Sequence, residues 1–180
     1  MRGFDTMVEQ YRHRLFSFAY YNLGDREEAK DVVQDTLIKL WENWDSIDKG
    51  RIMSWLLQVA RNRCLDIHRT HRTRKTLLRQ NPNSIPPGQS MTRPESPETN
   101  MENLDFREQV ERALRVIEEP YRSIVILREI EDYTYAQICA AMEMPLNTVK
   151  VYLHRGRRML RKHLLALETG SGNLAPNGSV

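Results

Sequence analysis

Apolar residues recur at helical spacing through the first third of the chain. Val8, Tyr11, Leu15, Phe18 and Leu23 outline a first helix, which Gly24-Asp25 interrupts. Asp25, followed three residues later by Glu28, has the form of a capping box, so a second helix is expected to open there. Its apolar stripe runs Ala29, Val32, Val33, Thr36, Leu37, Leu40 and Trp41. A polar loop follows from Asp45 to Gly50. Met53, Leu56, Ala60, Cys64 and Ile67 then make a third stripe, with Gln58, Arg61 and Arg69 on the opposite face. Three such stripes predict a small bundle that shares one core. Trp41 and Trp55 are expected in that core, and Cys64 and Cys139 as inert buried thiols on apolar faces.

The far half is helical as well. Val110, Leu114 and Ile117 give a short stripe, and Pro120 suits the first turn of the next helix, with Ile124, Leu127 and Ile130 facing inward. Thr134 and Gln137 form another capping box, opening a helix through Met142. Glu143-Met144-Pro145 is a tight break, after which Asn147 or Thr148 can cap a last helix. Val149, Leu153, Gly156, Leu160 and Leu164 form its apolar face. Its other face carries Lys150, His154, Arg155, Arg157, Arg158, Arg161 and Lys162. A short helix, a turn of about three residues and a basic amphipathic helix make a helix-turn-helix. The DNA major groove admits one such helix, whose first turns reach base edges. The alternative is an ordinary helical hairpin with a charged exterior.

Between the halves, residues 81–100 hold five of the eight prolines and almost nothing apolar. Proline bars helix interiors, so this stretch reads as a linker. The predicted fold is all-α: two small helical domains joined by a flexible proline-rich linker. The expected boundaries are 1–75 for the first domain, 76–105 for the linker, 106–168 for the helix-turn-helix domain and 169–180 for a disordered tail.

Composition changes this picture little. Hydrophobic residues make up 40% and charged residues 28%, and no run of about 18 apolar residues predicts a membrane span. The first residues show no apolar signal core. Two distant cysteines argue against a disulfide framework and fit a reducing cytoplasm. Charge says more. Residues 51–79 carry eight bases against Asp66 alone, and residues 150–163 carry six bases and no acid. Residues 95–119 reverse the sign with eight acids against three arginines. Two basic stripes separated by acidic sequence suggest two contacts with a polyanion. No nucleophile–base pair, phosphate-binding loop or metal-ligand cluster is evident, so no enzyme, cofactor or metal is expected.

Three segments resemble bacterial RNA polymerase sigma factors of the sigma-70 family. Residues 28–41, Glu-Ala-Lys-Asp-Val-Val-Gln-Asp-Thr-Leu-Ile-Lys-Leu-Trp, resemble that family's most recognisable helix. Residues 54–66, Ser-Trp-Leu-Leu-Gln-Val-Ala-Arg-Asn-Arg-Cys-Leu-Asp, resemble its promoter-melting helix. Tyr-Thr-Tyr-Ala-Gln-Ile from residue 133, with Pro-Leu-Asn-Thr-Val-Lys-Val-Tyr-Leu-His-Arg-Gly-Arg from residue 145, resembles its −35-reading helix-turn-helix. Two modules, a short linker and no other domain are similar to the extracytoplasmic-function group.

The resemblance implies roles by matching position. Asp31, Gln34, Asp35 and Lys39 would bind the coiled coil of the largest polymerase subunit. The loop holding Asp45, Ser46, Asp48, Lys49 and Arg51 would capture a flipped −10 base, and Arg61, Asn62 and Arg63 would contact the −10 strand and upstream duplex. Asn147, Thr148, Lys150, Val151, His154, Arg155 and Arg158 would serve the −35 element. Gly156 departs from the family's usual alanine, at up to about 1 kcal/mol of helix propensity. Val151 and Tyr152 stand where small or basic residues are frequent, which fits an unusual −35 sequence. The implied function is a sigma factor, a cytoplasmic subunit that gives core RNA polymerase its promoter choice. Its implied partners are core polymerase, promoter DNA and an anti-sigma protein, without membrane insertion. The alternatives are a stand-alone helix-turn-helix regulator, with residues 1–75 as a sensing or dimerising bundle, and an RNA-binding adaptor using the cluster from His68 to Lys75.

Overall fold

In the computed structural model, which describes residues 2–80 and 101–171, the stripes fold into seven helices. They are α1 (Arg2–Leu23), α2 (Arg26–Glu42), α3 (Ile52–Gln80), α4 (Met101–Arg115), α5 (Tyr121–Val125), α6 (Tyr135–Met142) and α7 (Leu146–Ser171). A 3-10 turn, Lys49–Arg51, leads into α3, and a wider π turn, Ile126–Ile130, continues α5. The described residues are all-α. The linker expected as flexible, at 81–100, and the tail from 172 lie outside the described residues.

Local chemistry accounts for most helix ends. Gly24 closes α1 at φ +75, a conformation that favours glycine. Asp25 Oδ1 then accepts hydrogen bonds from the backbone N–H groups of Glu27 and Glu28, each 2.9 Å, and starts α2. Glu28 does not return the bond that a capping box requires. Its carboxylate lies 2.7 Å from His71 Nε2 on α3. Thr134 and Gln137 form the complete reciprocal box on α6. Asn147 and Thr148 do not cap α7. Glu143, left-handed at φ 52, finishes the reversal early, and Val149 N–H already bonds the Pro145 carbonyl.

Helices α1, α2 and α3 share a core of Leu15, Phe18, Val32, Leu40, Ile52, Leu56 and Ala60. The second module buries Leu114, Ile124, Val125, Leu127, Ile138, Val149 and Leu153. Trp41 departs from the core expectation, being 56% exposed. Each helical residue turns about 100°, so a fully buried Leu40 swings its neighbour off the inward stripe. Trp55 is half-buried and packs against the core. Cys64 is buried, but Cys139 is only partly so, which corrects the expectation of two buried thiols. Helix α3 reaches Gln80 and α4 begins at Met101, so helix intrudes on both ends of the expected 76–105 linker. Helix α7 likewise runs to Ser171, past the expected boundary at Thr169, because Thr-Gly-Ser removes no backbone donor.

The two modules do not stand apart. Helix α6 packs on α3, and α4 on α1.

Candidate nucleic-acid interface

The second module presents α7 as a two-faced rod. Val149, Leu153 and Gly156 are buried, whereas Asn147, Lys150, Val151, His154, Arg155 and Arg158 are exposed and Thr148 is half-buried. The Thr134 box opens α6, and left-handed Glu143 closes it and sets the break before α7. Arg157 separates from its basic neighbours. Its Nε and Nη2 both reach Glu129 Oε1, at 3.0 and 2.7 Å, and fasten α7 to the π turn. Tyr152 meets the edge of Tyr121 with ring centroids 5.0 Å apart, so it packs within the module.

Gly156 lies at a close approach of α7 to α5. A Cβ added there would lie 2.5 Å from Val125 Cγ2 and 3.2 Å from the Tyr121 carbonyl oxygen. The propensity cost read from sequence is therefore offset by close packing.

In the first module, Asp31, Gln34 and Lys39 are exposed along α2. Asp35 is engaged: its Oδ2 lies 2.7 Å from Arg63 Nε on α3. The loop before α3 is built by its own side chains. Ser46 Oγ donates to the Asn43 carbonyl at 2.9 Å, and Asp48 Oδ1 accepts from Gly50 N–H at 2.9 Å. The Lys49 ammonium sits 3.6 Å over the Trp44 ring and donates to the Trp44 carbonyl. Asp45 and Arg51 point outward, with Arg51 3.8 Å from Asp48. Asn62 and Arg63 are exposed on α3.

Gln58 and Arg61, on the face of α3 opposite its apolar stripe, are not fully exposed. Both are half-buried, and Arg61 Nε is buried without a hydrogen-bond partner among the described residues. Helix α6 packs against α3, which the spacing of α3 alone could not reveal. Sequence reasoning also missed Trp44 and Glu129. Each acts through a partner that no helical period links to it.

Among the described residues, no group of three or more His, Cys, Asp or Glu could hold a metal ion, and no helix is long and apolar enough to cross a membrane.

Comparison with known proteins places this geometry. The family description Sigma-70 region 2 matches residues 7–74, and Sigma-70, region 4 matches residues 107–160. The chain is 28% identical over 165 residues to the ECF RNA polymerase sigma factor SigE of Mycolicibacterium smegmatis, covering 91% of this chain and 62% of that one. It is 27% identical over 166 residues to the ECF RNA polymerase sigma factor SigW of Bacillus subtilis, covering 90% and 89%. Its fold resembles the sigma factor RpoE of Bartonella quintana, solved with the anti-sigma factor NepR (TM-score 0.68, 21% identity, 91% and 98% covered). It also resembles CnrH, solved with the cytosolic domain of CnrY (TM-score 0.65, 20% identity, 92% and 89% covered).

Proposed function

The chain belongs to the sigma-70 family of RNA polymerase sigma factors, in its extracytoplasmic-function group, and from that premise we propose how its residues divide the work. Sigma factors are initiation subunits without catalysis of their own, so the task here is binding. Helix α7 docks on duplex at −35, with Asn147, Thr148, Lys150, Val151, His154, Arg155 and Arg158 toward the groove. Exposed Asp31, Gln34 and Lys39, with Asp35, meet core polymerase. The loop from Asp45 to Arg51 holds an extruded −10 base, and Arg61, Asn62 and Arg63 guide the melted strand and upstream duplex. The protein works in the cytoplasm, beside the polymerase. An anti-sigma partner is supported by the fold likeness to a sigma factor solved with an anti-sigma factor.

The observation that carries the −35 role is the division of α7. One face buries Val149, Leu153 and Gly156, and the opposite face leaves Lys150, His154 and Arg155 exposed within the first three turns. A loop shaped by Lys49 over Trp44 supports the −10 role, since it can offer backbone as well as side-chain groups to a base.

The test is run-off transcription with core polymerase. Alone, the protein should bind promoter duplex weakly, in the non-specific range of about 10⁻⁴–10⁻⁶ M at physiological salt. Core polymerase should make binding specific. Tight, sequence-specific binding by the isolated chain would favour the stand-alone regulator. For the loop, replacing residues 46–49 with glycine and serine should leave core binding intact and abolish permanganate reactivity of thymines near −10. Unchanged reactivity would remove the loop from the reading.

A further inference from the structure

Arg122 joins the two modules. It lies on α5, is only 8% exposed, and has no carboxylate within ion-pair distance among the described residues. Neutral groups satisfy it instead. Nε donates to the Ile117 carbonyl at 2.9 Å and Nη2 to the Arg115 carbonyl at 3.2 Å, both within its own module. Nη1 crosses to the first module, donating to the Asn22 carbonyl at 3.0 Å, and lies 2.6 Å from His68 Nε2 on α3. The Asn22 amide holds the same seam, donating to Glu119 Oε1 at 3.1 Å and to Ser123 Oγ at 3.2 Å. Tyr20 O–H donates to Glu111 Oε2 at 3.0 Å nearby, also across the modules.

His68 Nε2 is claimed twice. It lies 2.6 Å from Arg122 Nη1 and 2.9 Å from Asn22 Oδ1. An arginine can only donate, so the bond to Arg122 requires a bare nitrogen on the imidazole. An imidazole protonated on both nitrogens can satisfy Asn22 but sets an N–H and a positive charge against the guanidinium. We propose that Arg122 and His68 form a latch between the modules that holds them closed while the imidazole is neutral and releases them when it takes a proton.

The surroundings agree in sign. Burial, then Arg122, push the His68 pKa down, with Glu119 opposing and His71 adding to the depression. From α3, His68 also has the buried Cys64 one turn away. His71 is occupied by Glu28 of α2, 2.7 Å distant. Glu119 bonds Asn22 and Ser123. A histidine whose pKa is lower in the closed form favours closure above its open-state value. That contribution is lost as pH falls below the open-state value, until the closed form titrates too.

Single-molecule energy transfer reads closure without polymerase or DNA, so its failure is distinct from failure of the sigma assignment. Dyes are attached at Lys30→Cys and Lys162→Cys in the full chain carrying Cys64→Val and Cys139→Ala, with helical content checked by circular dichroism. Between about pH 7.5 and pH 5.5, the open-to-closed ratio should rise by up to about tenfold per pH unit below the ordinary histidine value. His68→Gln offers Arg122 an acceptor that does not titrate, and should hold the ratio flat. His68→Lys carries a fixed charge and should be open at both pH values. A flat wild-type ratio, or a His68→Gln ratio that climbs as steeply as wild type, overturns the latch. The wild-type and His68→Gln comparison decides the matter even where His68→Lys does not fold.

Discussion

Alanine is the better helix former, yet Gly156→Ala should destabilise the second module. Two effects compete. Alanine in a helix interior gains about 1 kcal/mol over glycine. Against that, the new Cβ would lie 2.5 Å from Val125 Cγ2 and 3.2 Å from a backbone oxygen of Tyr121. Val125 is fully buried and the carbonyl belongs to α5, so neither can swing into open space. Inserting a methyl into such a site typically costs about 1–3 kcal/mol, which offsets the propensity gain and leaves a net loss of up to about 2 kcal/mol. A chain of two modules is not safely two-state, so a global melting curve is a poor assay. Amide hydrogen exchange along α5 and α7 isolates the affected module. Val125→Ala supplies the control, because it removes the atom that collides. In that background alanine at 156 should cost less, because only the contact with the Tyr121 carbonyl remains, and the difference appears as a coupling energy within one double-mutant cycle. A stabilising Gly156→Ala in the native background would refute the packing argument and leave helix propensity in charge.

Cys139 should react with a water-soluble disulfide reagent at neutral pH, whereas Cys64, whose thiol burial pushes up to about 12, should react only on unfolding; two equally fast thiols would contradict this. Lys150→Ala and Arg155→Ala should each cost about 1–3 kcal/mol of promoter binding in the polymerase complex and relax preference at particular −35 positions. Arg161→Ala and Lys162→Ala, two turns further on, should weaken binding evenly across sequences, as binding measured on variant promoters will tell. Thr134→Ala should cost about 1 kcal/mol by removing the α6 cap, seen as faster amide exchange in the first turn of that helix.

What could be read from the sequence was what lies close along the chain. The Thr134–Gln137 box, the Asp25 cap and the alternating faces of α7 each need only a few consecutive residues, so spacing suffices. Glu28 shows the limit: its local partner was in register, but His71 from α3 took it. Arg122 was harder still. In Tyr-Arg-Ser-Ile-Val an arginine reads as a surface charge, and its burial follows from carbonyls and an imidazole gathered from both modules. The candidate interface divides the same way. Lys150, His154 and Arg155 were visible as one helical face. That Lys49 would fold over Trp44, that Arg157 would be tied to Glu129 and that Arg61 would be half-buried depended on tertiary neighbours.

The ion pair between Asp35 and Arg63 joins a residue proposed to meet polymerase with one proposed to guide DNA. Such a pair can be broken only once. Whichever ligand arrives first must separate the two side chains, and the second then finds its residue already released. Both side chains are more than two-fifths exposed, so the pair is worth at most about 1 kcal/mol, roughly fivefold in a binding constant. Thermodynamic reciprocity requires that polymerase raise the affinity for promoter by the same factor as promoter raises the affinity for polymerase. A sigma subunit wired in this way gives up little by holding neither ligand well alone, and gains a modest preference for assembling the ternary complex over either binary one.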